Sequence, residues 1–127
     1  MYNDCLLCRK ISQKIFASES FFVVLDDFPV RQGHLLIFPI RHIEDLTLLT
    51  RAEFCDLRIV LQKMTTYITK TFQADGYNIG INMGKAAGQT VAHVHIHLIS
   101  RRDGDVVDPR GGIRKFLPNP LTEYPLS

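Results

Sequence analysis

The chain has 127 residues, 46% of them hydrophobic and 22% charged, with a net charge of +2. That is one domain with enough apolar content for a core, and its balance of charge gives no argument for a nucleic-acid or membrane partner. No apolar run reaches transmembrane length, the acidic start Met1-Tyr2-Asn3-Asp4 is not a signal peptide, and three cysteines, an odd set, read as reduced thiols in a cytoplasm.

Cys5-Leu-Leu-Cys8 opens the chain, within a short helix expected over 5–11. Two sulfurs at this spacing are half of a tetrahedral zinc site. By itself the pair reads more readily as buried apolar cysteines than as a zinc site, and least well as a redox pair, since no βαβ pattern surrounds it. Residues 14–18 form a candidate strand. Phe21 to Asp26 is a strand by its β-branched and aromatic content. Asp26, Asp27 and Pro29 then make a turn, the role that residue type favours for the two carboxylates. Gly33-His34 leads into a strand over Leu35 to Phe38, stopped by Pro39, with His34 on the face of Leu36 and Phe38.

Thr50-Arg-Ala-Glu53 matches a capping box. Behind it Phe54, Leu57, Leu61, Met64, Ile68 and Phe72 recur at helical spacing, an amphipathic helix of about 22 residues that Gly76 is expected to end. Tyr77 to Met83 is a strand with Asn82 near its end. The glycine-bounded loop 84–90 lacks the Gly-Lys-Ser/Thr order of a Walker sequence but can aim N–H groups at an anion. After Ser100 the pattern gives way to loops. Residues 113–118 are expected to dock as a short extended piece, with a surface tail beyond. Five strands joined by short turns, and one long helix, predict an α+β fold: a mostly antiparallel sheet with the helix on one face and a short N-terminal helix.

His93-Val-His95-Ile-His97 holds three of the five histidines. The period of two predicts a strand with all three imidazoles on one face, rooted roughly 6.6 Å apart, and Val94, Ile96 and Leu98 on the other. The outer two stand too far apart to share one metal ion easily. The alternative chemistry is attack on phosphorus by the middle imidazole while its neighbours hold the phosphate and leaving group.

This segment, with the preceding Gly88-Gln89-Thr90, resembles the signature of the histidine triad (HIT) family of nucleotide hydrolases and transferases, in particular its fragile-histidine-triad branch. The likeness runs upstream through Asn82, Arg41-His42, Gly33-His34 and Asp26, covering roughly residues 5–105 of a single domain whose tail is 106–127. It implies that His95 attacks the α-phosphorus of a nucleotide, that His97 and His34 contact the phosphate and leaving group, and that His93 orders the array. Gln89 and Thr90 would bond phosphate oxygens, with Asn82 beside them. Asp26 would take the ribose hydroxyls, and Leu25 and Phe28 the base. The same likeness implies a structural zinc on Cys5, Cys8, His42 and His93, pinning the N-terminal segment to the back of the catalytic strand, with no organic cofactor. It also implies a homodimer with a continuous sheet. Lys85 and Arg101 would tilt the site positive, and Arg110 and Arg114 could meet further phosphates.

The expected activity is hydrolysis of dinucleoside polyphosphates. A nucleoside phosphoramidase, a phosphorylase, a nucleotide-binding partner protein with little turnover, and a metal-binding module are the alternatives.

Overall fold

The structure, a computed structural model, describes residues 5–117. The polar start at residues 1–4 and the tail expected beyond residue 117 lie outside the described residues. Five strands make one antiparallel sheet: β1 (Phe16–Ala17), β2 (Phe21–Leu25), β3 (His34–Pro39), β4 (Gly76–Ile81) and β5 (Ile96–Arg101). Their order is β1-β2-β3-β5-β4. A short helix α1 (Leu6–Arg9) precedes the sheet, and a long helix α2 (Arg51–Phe72) joins β3 to β4.

β3 is buried along its whole length because both of its faces are covered. Leu35 and Ile37 face α2, joining Val60, Met64, Ile68, Ile96 and Leu98 in the main core. Leu36 and Phe38 face the other way and pack with Cys5, Leu7, Cys8 and Val24 of the second cluster. The fold is therefore the expected α+β sheet, with the N-terminal segment as a small third layer.

The capping box closes as expected. Glu53 N–H donates to Thr50 Oγ1 at 3.1 Å, and Thr50 N–H donates to the Glu53 carboxylate at 2.7 Å. Arg41 also donates to that carboxylate, at 2.9 and 3.3 Å, which ties the loop after β3 to the helix start. The buried stripe is rotated from the expected one: Val60 is fully buried, while Phe54 is 43% exposed. Nor does Gly76 end the helix. Gln73 adopts the left-handed conformation (φ 56°) itself, Arg102 Nε donates to the Phe72 carbonyl at 3.1 Å, and Gly76 opens β4.

Three further expectations change. By hydrogen bonding β5 begins at Ile96, so His93 and His95 lie in its irregular lead-in. The N-terminal segment does not cover the back of the histidine strand. It lies on the same face as His97, whose cross-strand partner Leu36 packs against it. Gly112–Phe116 is a helical turn rather than an extended piece; Pro118 lies outside the described residues.

Candidate active site

The lead-in to β5 sends neighbouring histidines to different tasks, and backbone groups set each ring's tautomer. His95 Nδ1 lies 3.0 Å from the His93 carbonyl oxygen. A carbonyl only accepts, so Nδ1 carries the proton and Nε2 keeps the lone pair. It is thus the backbone of His93, more than its ring, that orders the His95 imidazole. Val30 N–H donates to His34 Nδ1 at 3.2 Å, which leaves the proton of neutral His34 on Nε2. That Nε2 is 2.9 Å from His97 Nδ1, so His97 accepts there and carries its own proton on Nε2. Asp26 closes the group, with Oδ2 3.3 Å from His34 Nε2 and 3.9 Å from His97 Nδ1.

Burial pushes His34 below the ordinary histidine value, opposed by the Asp26 carboxylate. Burial also lowers His97, helped by His95 and His34 and again opposed by Asp26. Both rings are accordingly neutral near pH 7.

In front of this group opens a cavity of about 590 Å³, within the usual size of small-molecule sites. His95, His97, Asp26, Asn82, Thr90 and Phe28 all line it. Asp26 makes the expected turn, Oδ1 accepting from Phe28 N–H at 2.9 Å, while Oδ2 faces the histidines. Phe28 is 87% exposed at the rim. Leu25 is not among the walls.

Gln89 departs from its expected role. Its amide oxygen accepts from Gly84 N–H at 2.8 Å, and its NH₂ donates to the carbonyls of Glu44 and Val91 at 3.1 and 3.2 Å. It braces a loop and does not line the catalytic cavity. Arg101 is also turned away, held by both Asp105 oxygens at 2.8 Å and by Asn78 at 2.6 Å. Arg110 pairs with Asp108 at 3.0 Å, and Lys85 lines a neighbouring cavity.

Motif reading missed one wall. Leu6, Leu7, Arg9, Lys10 and Gln13 flank the cavity, and Lys10 Nζ meets Asp27 at 2.7 Å. The signal was the cysteine pair, which anchors these residues to the histidine face.

That anchor is a second cluster. Cys5 Sγ and Cys8 Sγ lie 3.3 and 3.6 Å from His93 Nδ1, and Cys8 Sγ lies 3.6 Å from His42 Nδ1. Sulfur and nitrogen ligands of one tetrahedral zinc stand about 3.6 Å apart, so the four residues fit one ion. His93 Nε2–H donates to the Pro39 carbonyl at 2.7 Å, which turns the Nδ1 lone pair toward the sulfurs. Burial, first of all, pushes the His93 pKa down to about 4 and favours the neutral, ligating ring. The cluster could hold a metal ion, and the three-imidazole row divides between it and the cavity: His93 faces the cysteines, while His95 and His97 line the cavity.

Fold and site together define a protein of the histidine-triad class. The chain belongs to the HIT domain family, whose model matches residues 9–104. It is 39% identical over 94 residues to a bis(5'-adenosyl)-triphosphatase of Dictyostelium discoideum, covering 74% of this chain and 63% of that protein. It is 44% identical over 77 residues to an asymmetrical bis(5'-nucleosyl)-tetraphosphatase of Schizosaccharomyces pombe, covering 61% of this chain and 42% of that one. The chain thus spans less than two thirds of either relative's length. Among solved structures, a Zn-bound histidine triad family protein from Mycobacterium smegmatis superposes with a TM-score of 0.73 at 36% identity, covering 83% of this chain and 80% of that one.

Proposed function

We propose that the chain is a nucleotide hydrolase that cleaves dinucleoside polyphosphates, of the diadenosine tri- or tetraphosphate kind, at the α-phosphorus. The observation that carries this reading is His95: its Nδ1 proton is spent on the His93 carbonyl, leaving a lone pair on Nε2 of a ring that lines an open cavity. Nε2 bonds to phosphorus as the bond to the leaving polyphosphate oxygen breaks, and the electron pair departs with that oxygen. His97, protonated on Nε2, donates a hydrogen bond to the phosphate, and His34 fixes His97 in that tautomer. Water then attacks the same phosphorus, the N–P bond breaks with its pair returning to His95, and the water's proton passes to solvent. Asp26 takes the ribose hydroxyls, and Asn82 and Thr90 the phosphate edge. The two relatives' names support the substrate class.

The same reading places a structural zinc on Cys5, Cys8, His42 and His93, supplying folding energy and no chemistry. The Zn-bound neighbour supports this choice of metal. Residues 1–105 form the working core of a single domain and 106–127 its tail. A homodimer built through β4 fits the exposed Ile79 and Tyr77 on that edge strand. A cytoplasmic setting fits three cysteines that form no disulfide. No helix among the described residues is long and apolar enough to cross a membrane, and a net charge of +2 gives nucleic acid little to hold.

The test is an alkaline quench during turnover of diadenosine triphosphate labelled on the α-phosphorus, with product analysis. Label trapped on protein in the wild type and absent in His95→Asn is expected, with AMP and ADP as products. Two molecules of ADP in phosphate buffer mean a phosphorylase. Cleavage of an AMP–amine bond with the dinucleotide untouched means a phosphoramidase and removes the substrate proposed here.

A further inference from the structure

A second cavity of about 570 Å³ adjoins the catalytic one, and the two share Thr90 and Val91 as a common rim. We propose that it is the subsite for the leaving nucleoside of a dinucleoside polyphosphate, an inference that rests on the function proposed above. Three observations carry it.

The first is room. Each cavity by itself falls within the usual size of a small-molecule site. The catalytic one already has Asp26 and Phe28 to hold the nucleoside that stays on His95. A second nucleoside therefore needs a second space, reached from the phosphate side, and the shared rim is that side. The Thr90 hydroxyl stands there with no hydrogen bond to any described residue, available to an oxygen of the bridging phosphates.

The second is chemistry. Lys85 lines the second cavity, is exposed, and makes no ion pair with any described residue. An ammonium beside the rim suits the phosphates that depart with the leaving nucleoside. Glu44 also lines it, its carboxylate likewise unengaged among described residues, and can accept from ribose hydroxyls or an exocyclic amine. Met83, 38% exposed, and Ala92 supply apolar wall for a base. Asp45 is already engaged: its Oδ1 caps Thr47 N–H at 2.8 Å.

The third is rigidity. The three hydrogen bonds of the Gln89 amide tie Gly84, Glu44 and Val91 together, and all three belong to this cavity's walls. A glutamine that spends its whole amide on bracing one cavity holds that cavity in shape before anything binds, which lowers the cost of ordering it.

The experiment compares two substrates on the purified full chain: diadenosine triphosphate, and the 4-nitrophenyl ester of AMP, whose leaving group is too small to reach the second cavity. Lys85→Gln and Glu44→Gln are the variants, with circular dichroism and KM for the ester as controls on fold. Losing one charge-assisted hydrogen bond predicts a rise of about tenfold in KM for the dinucleotide, with kcat little changed and ester cleavage unaltered. Equal losses on both substrates, or none on either, overturn the subsite and leave the proposed hydrolase standing. A wild type that cleaves the ester but not the dinucleotide overturns both the subsite and the substrate choice. A wild type that cleaves neither removes the hydrolase reading as well.

Discussion

His34 Nε2 stands 2.9 Å from His97 Nδ1 with the Asp26 carboxylate 3.3 Å from the same His34 atom. Burial lowers both imidazoles, and Asp26 pulls both upward. Nuclear magnetic resonance of the ring protons is expected to show both titrating below 6.5. Asp26→Asn keeps the turn bond to Phe28 N–H and removes the negative charge, so both titrations should move to still lower pH. Movement upward contradicts this account of the cluster. The linkage runs the same way. The unfolded chain takes these two protons more readily than the native one, so their contribution to stability is present above about 6.5 and is lost as pH falls.

His95→Asn should remove turnover by at least a factor on the order of 10³, as loss of a nucleophile does. Asn leaves the cavity walls intact, so AMP binding by calorimetry should stay within about threefold, well under 1 kcal/mol. Residual turnover near wild type means that water attacks without a covalent intermediate.

Metal analysis of the purified chain is expected to find close to one zinc per chain, and Cys8→Ser to lose it. Structural zinc contributes folding free energy directly, so the variant should melt at least ~5 °C lower. Leu6 and Leu7 hang from the same cluster and wall the cavity in front of His95, so under the proposed function nucleotide affinity should weaken along with stability. A variant that binds no zinc yet melts like the wild type means that the cluster does not depend on metal.

Gly33 precedes His34 with φ +82°, and a Cβ there would sit 2.9 Å from the Phe72 ring and 3.0 Å from Ser100 Oγ. Gly33→Ala combines a left-handed backbone with a collision, a cost of about 2 kcal/mol. A urea melt should show that loss, and turnover should fall because His34 shifts. An unchanged midpoint means that the backbone at 33 relaxes freely.

Features that depend on neighbours along the chain were legible before any coordinates. The Thr50–Glu53 box, the helix of about 22 residues behind it and the strands read over 21–26 and 35–38 each follow from residues a few positions apart, where capping, periodicity and β-branching act; the observed bounds, Phe21–Leu25 and His34–Pro39, differ by a residue. The alternation of burial from Val94 to Arg101 also follows the expected period of two. Where the reading slipped, a local signal met a distant partner. Gly76 looked like a helix stop, but Arg102, thirty positions from Phe72, holds that helix's last carbonyl. Gln89 looked like a phosphate ligand, but Gly84 N–H and the Glu44 and Val91 carbonyls claim its amide.

By itself the sequence determined which atoms can do chemistry here: three imidazoles at alternate positions, two thiols three apart, and a carboxylate in a turn. Only the tertiary structure decided how they divide. The Pro39 carbonyl turns His93 toward the cysteines, the His93 carbonyl leaves His95 its Nε2 lone pair, and Val30 N–H together with His34 sets the proton of His97. The reason is that an imidazole has two nitrogens of nearly equal basicity. Which one holds the proton is settled by whatever donor or acceptor the fold brings beside it, and no pattern of neighbours in the chain records that.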